Sequence, residues 1–169
     1  PMQISDEVLD RWLSEFPDHP DLLELRVRRR MRERDEVDAT TAALLESYQR
    51  VRPVDPAPHR MLARAALASG APAEAIPHLE VLDRLEERNN AFALELARLK
   101  RGTGDSSGAL IHATKAVRID PYNAALRELA AAIAIEAGRL PEARDHIRAL
   151  TVLEPDRDQH RLRLERIER

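Results

Sequence analysis

Residues 96–123 read LARLKRGTGDSSGALIHATKAVRIDPYN, and the way this stretch breaks decides the fold. Residues 90–101 are apolar at Phe92, Leu96 and Leu99, a helical spacing. Gly102 to Gly108 interrupt the run, and Ala109, Ile111, Ala113, Ala116, Val117 and Ile119 resume it. The second run stops at Asp120-Pro121, because the residue before a proline is pushed out of the α region. Helix, short turn, helix is an αα-hairpin.

Working outward, the hairpin recurs. Gly70, Gly104 and Gly138 stand 34 residues apart, and so do Ala75, Ala109 and Ala143. Pro121 and Pro155 form a third column, with Pro53 two periods before Pro121. The period divides the chain into units 22–55, 56–89, 90–123 and 124–157. A partial-repeat helix over 3–16 precedes them, and a charged terminal helix over 158–169 follows. A single hairpin cannot bury its apolar faces alone, so neighbouring units must stack. The expectation is one all-α repeat domain over 1–169, an α-solenoid of antiparallel helix pairs.

Composition agrees with helices: 34% of the 169 residues are charged and only 3% aromatic, with Ala, Leu, Glu and Arg prominent. The net charge of −3 argues against a general nucleic-acid binder, which shows a basic balance with stacking aromatics. Of 27 basic side chains only Lys100 and Lys115 are lysines, a bias that points to a GC-rich, bacterial coding sequence. The lack of cysteine excludes disulfides, thiolate catalysis and cysteine-ligated zinc, but leaves cytoplasm and periplasm equally open. No apolar run approaches the length of a membrane span, so a soluble protein is expected. No charged-then-apolar signal layout opens the chain, which begins at Pro1 and reads as a processed or excised piece.

These columns resemble the tetratricopeptide repeat family, whose 34-residue unit carries small residues at positions 8 and 20, glycine near 15 and proline at 32. With Ala109 at position 20, Leu96 falls at 7, Ala97 at 8, Gly104 at 15, Ala116 at 27 and Pro121 at 32. Unit 124–157 matches through Ala131, Gly138, Ala143, Ile147 and Pro155, and unit 56–89 through Leu62, Ala63, Gly70, Ala75, Leu79 and Leu82. Unit 22–55 diverges: Leu25, Thr41, Leu45, Tyr48 and Pro53 fit, but Arg28, Arg29 and Glu36 replace leucine, a small residue and glycine. The resemblance covers nearly the whole chain. It implies a right-handed superhelix with a concave inner face lined by first-helix positions 2, 5, 9 and 12 or 13.

Carried onto this sequence, position 5 gives Arg26 and Arg60, position 9 gives Arg30, Arg64 and Arg98, and position 12 gives Arg101. A row of guanidinium forks suits carboxylates, so the resemblance points to a protein-interaction scaffold that holds an acidic protein or peptide segment. Arginine at position 9 departs from the family's chaperone-binding carboxylate clamp, with its Lys at 5 and Asn at 9. Chance alignment of abundant arginines, paired with Glu24, Glu33, Glu95 or Glu128, is the competing account. A second functional reading is an accessory or oligomerisation domain of a larger polypeptide, an enzyme included, whose repeats dock intramolecularly or self-associate through the half-repeat ends.

Other features read as structure. His78, His112 and His146 share position 23, but equivalent residues of stacked repeats lie roughly 10 Å apart, too far to share one metal, so packing is expected and no metal or cofactor. Gly102 to Gly108 follow a helix, not a strand, and lack a Gly-Lys-Ser/Thr ending; a turn with Asp105 or a serine as N-cap is expected instead of a phosphate loop. The run Arg26 to Arg34 is interleaved with Glu33, Asp35 and Glu36 and reads as a salt-bridged helix face. Trp12 and Phe16, at i and i+4, are expected in the core. No zinc-helix, nucleophile-elbow or recurring histidine–carboxylate motif is present, so no enzyme is expected.

Overall fold

The structure, a computed structural model, describes residues 4–33 and 37–168. Ten helices and no strand occur among the described residues. They fall into two compact units, Pro1–Leu85 and Glu86–Arg169. The first holds α1 (Asp6–Glu15), α2 (Pro20–Glu33), α3 (Ala39–Val51), α4 (Pro56–Ala68) and α5 (Pro72–Leu85). The second holds α6 (Asn90–Gly102), α7 (Ser106–Ile119), α8 (Ala124–Glu136), α9 (Leu140–Leu153) and α10 (Asp158–Glu168). Within each unit every helix packs on its chain neighbour, as in a stack of hairpins.

Local chemistry explains the boundaries. Asp55, Asn89 and Asn123, each the last residue of a period, cap α4, α6 and α8 by accepting from the backbone N–H of Ala57, Ala91 and Leu126. Asp105 caps α7 by accepting from Gly108 N–H at 2.8 Å, so the glycine-rich stretch is the turn between paired helices. The first helix of each regular pair ends on a glycine in the left-handed region: Gly70 at φ 73°, Gly104 at 87° and Gly138 at 70°. The residue after each glycine donates to a carbonyl five positions back, Ala71 to Ala66, Asp105 to Lys100 and Arg139 to Ala134. That is the Schellman closure, and its left-handed residue is why glycine recurs.

The alanines of positions 8 and 20 are all buried: Ala63, Ala97 and Ala131 on first helices, Ala75, Ala109 and Ala143 on second helices. Their small side chains let helix axes approach closely. In the second unit Ala93, Ala97, Ala109, Ala113, Ala116, Val117, Leu126, Ala130 and Ile133 make one continuous core. Leu23, Val27, Leu45, Tyr48 and Leu62 make the core of the first unit, with Leu13 of α1 against it.

Two expectations need revision. Phe16 is 56% exposed, not core, because it is the C-cap residue of α1 and lies beyond the last helical turn; Leu9 is the buried residue of that helix. Unit 22–55 is also out of step. Its first helix starts at Pro20, and residues 34–38 separate it from α3, against three-residue connections in the other units. The buried positions of α2 are accordingly Leu23 and Val27, and Arg28, aligned with leucine by the period, is exposed and paired with Glu24. Residues 34–36, which include Glu36 at the glycine position and the end of the Arg26–Arg34 run, lie outside the described residues, as do Gln3 and Arg169.

Candidate functional site

The six arginines of the sequence stripe meet different fates. Arg26 reaches back to α1, with Nε 3.1 Å from Asp10 Oδ1 and Nη1 3.4 Å from Asp6 Oδ1. Arg29 binds the same Asp6 and holds its carboxyl below the usual range, with Arg26 adding to the effect. Arg30 turns to α3: Nε donates to Thr41 Oγ1 at 3.0 Å and Nη2 to Asp38 Oδ2 at 3.2 Å, bracing the residue that caps that helix. Arg60 and Arg64 on α4 are exposed; Arg60 is engaged within the chain, whereas Arg64 makes no ion pair among the described residues.

In the second unit ion pairs link three first helices. Arg101 of α6 grips Glu136 of α8 with both arms of its fork, Nε to Oε2 at 2.8 Å. The hydrogen bond from Arg101 lowers the Glu136 pKa. Arg163 of α10 donates to Glu128 of α8 at 2.6 Å. Glu128, Ala132 and Glu136 are spaced i, i+4, i+8, one stripe of α8, so α6, α8 and α10 present a shared surface. Arg98, one turn before Arg101, is exposed and makes no ion pair among the described residues. Half-buried Leu94 and Ala132 supply apolar area beside these charges, and Ile135 is 41% exposed.

A buried imidazole between two half-buried carboxylates anchors α10. His160 is 2% exposed; its Nε2 lies 2.8 Å from Glu154 Oε2, and its Nδ1 lies 3.4 Å from Glu128 Oε1 without hydrogen-bond geometry. One imidazole thus connects α10 to the end of α9 and to α8. In the first unit His59 of α4 and His78 of α5 bring their Nδ1 atoms to 3.2 Å. Burial pushes both pKa values down.

The helical hairpins have counterparts in known structures. YrrB, a TPR protein described as having an unusual peptide-binding site, superposes with a TM-score of 0.57 at 14% identity, over 92% of this chain and 79% of that one. The chain has the tetratricopeptide-repeat fold. MamA residues 41 to the end from Desulfovibrio magneticus RS-1 match with a TM-score of 0.55 at 15% identity, over 88% of this chain and 82% of that one. The Arabidopsis OM64 TPR domain matches with a TM-score of 0.50 at 20% identity, over 66% of this chain and 93% of that one. No protein-family model matches the sequence, and no curated protein matches it significantly.

In TPR terms, Arg64, Arg98 and Arg101 sit on first helices that keep the repeat register, whereas Arg26 and Arg30 sit on the displaced α2 and are consumed by α1 and α3. Two constellations escaped sequence reasoning. His160 with Glu128 and Glu154 joins residues from three helices with no fixed spacing. His59 and His78 occupy positions 4 and 23 of one repeat, whereas the 34-residue histidine column joins equivalent positions of successive repeats and does not include His59. No helix among the described residues is long and apolar enough to cross a membrane.

Proposed function

We propose that this TPR chain is a non-enzymatic protein-interaction scaffold that holds an acidic, extended segment of a partner protein on its first-helix surface. In the second unit that surface is formed by α6, α8 and α10. The observation that carries the reading is Arg98. Arg101 of the same helix and Arg163 of α10 are neutralised by Glu136 and Glu128, while Arg98 carries a guanidinium with no ion pair among the described residues. A planar fork left open one turn from half-buried Leu94 on the same helix suits a carboxylate flanked by an apolar side chain. YrrB, described as having an unusual peptide-binding site, supports the same use of the fold by analogy.

The test is a peptide array of acidic, neutral and basic extended sequences probed with the wild type and with Arg98→Glu. Acidic peptides are expected to be retained by the wild type, to weaken about tenfold with Arg98→Glu, as for loss of a charged hydrogen bond, and to weaken further in high salt. Equal retention of acidic and basic peptides, or no response to Arg98→Glu, overturns the reading.

A further inference from the structure

The His59–His78 contact has the dimensions of a metal chelate. The two Nδ1 atoms are 3.2 Å apart, and the ring centroids are 5.4 Å apart with planes tilted by 53°. Zinc holds imidazole nitrogens at about 2.0–2.1 Å, so two of them on a tetrahedral ion stand about 3.3 Å apart with ring centroids roughly 5 Å apart. We propose that His59 and His78 form a two-nitrogen chelate for a divalent transition-metal ion of the zinc type, clipping α4 to α5. The same pair without an ion shares a proton, one Nδ1–H donating to the other Nδ1; to take the ion, the donating ring shifts to its Nε2–H tautomer, the Nδ1 proton passing to water as Nε2 takes one up, so that both Nδ1 lone pairs face the metal.

The surroundings suit a cation. Burial keeps both imidazoles neutral near pH 7, the form that ligates, and disfavours the doubly protonated pair. The charges acting on the pair are Asp55, which precedes α4, Glu46 from α3 and Arg84 from α5, two carboxylates against one guanidinium. His59 is 7% exposed, whereas His78 is only half-buried, which leaves a solvent side for the ion to enter and keep water ligands. Among the described residues no cluster of three or more His, Asp or Glu ligands is assembled, so the site commits to two protein nitrogens plus water, weaker than a four-ligand structural site. Nitrogen donors select zinc, nickel or copper over calcium and magnesium, which take oxygen.

The repeats supply their own control. His112 and His146 stand at the position of His78, but the position of His59 is Ala93 and Arg127 in those units. Chelation is therefore confined to unit 56–89.

Zinc chloride is titrated into the tag-free, chelator-stripped 169-residue chain by calorimetry and by thermal melting. One ion per chain and a melting temperature that climbs with zinc concentration are expected, since binding favours the folded form. His59→Gln and His78→Gln, each checked for helicity by circular dichroism, are expected to lose at least tenfold in affinity; His112→Gln is expected to bind like the wild type. Should His59→Gln fail to fold, the half-buried His78→Gln carries the comparison. Absence of binding to the wild type, or retention of binding in His78→Gln, overturns the proposal and leaves the pair as a proton-sharing contact.

Discussion

A ring nitrogen buried without a partner favours the neutral imidazole, and half-buried His146 on α9 has one. Its Nδ1 is buried with no hydrogen-bond partner, and burial, aided by Arg127 of α8, lowers its pKa against the opposing pull of Asp145 and Glu142. In the unfolded chain it titrates near 6.5, so that state takes up a proton first as pH falls. The contribution of His146 to stability is complete above about pH 6.5 and is lost as pH falls toward its depressed folded value. Melting the wild type and His146→Gln between pH 7.5 and 5 is expected to show a shallower acid decline in the variant; parallel declines would remove His146 as the cause. At this scale the sequence was only partly legible. It placed Arg64, Arg98 and Arg101 on first helices, yet it offered no means of seeing that Arg26 is held by Asp6 and Asp10 or Arg30 by Asp38 and Thr41.

Helix ends are where the period acts at the scale of the element. Gly104 lies at φ 87° with open space around the position of a side chain, so Gly104→Ala suffers from backbone strain, not from a clash. A left-handed conformation costs a non-glycine residue roughly 1–2 kcal/mol. That corresponds to a fall in melting temperature of roughly 2–8 °C for a chain of this size, measurable by circular dichroism; an unchanged midpoint would mean the α6–α7 turn has relaxed to another closure. The small-residue, glycine and capping columns made helices α4 to α9 readable, because each depends on local geometry. The displaced α2 was not readable: a period extrapolated from three regular units says nothing of a lengthened connection.

At the scale of the whole molecule, each unit has a core drawn from its own helices. The continuous core from Ala93 to Ile133 lies entirely within Glu86–Arg169, and α10 is tied down by His160 and Arg163 from the same unit. Residues 86–169 expressed alone are expected to remain helical and to melt cooperatively; a broad, non-cooperative melt would show that this core is insufficient by itself. The sequence by itself determined the repeat, the helix pairs, the small residues that let them touch and the glycines and caps that end and start them. All of these rest on backbone preferences and on a 34-residue recurrence, which are written along the chain. Only the tertiary structure decided which arginines are spent internally, that Phe16 is exposed, and that His59 faces His78. Those outcomes depend on how each helix is rotated about its axis and on charges as far apart in sequence as Arg101 and Glu136, and no local pattern records either.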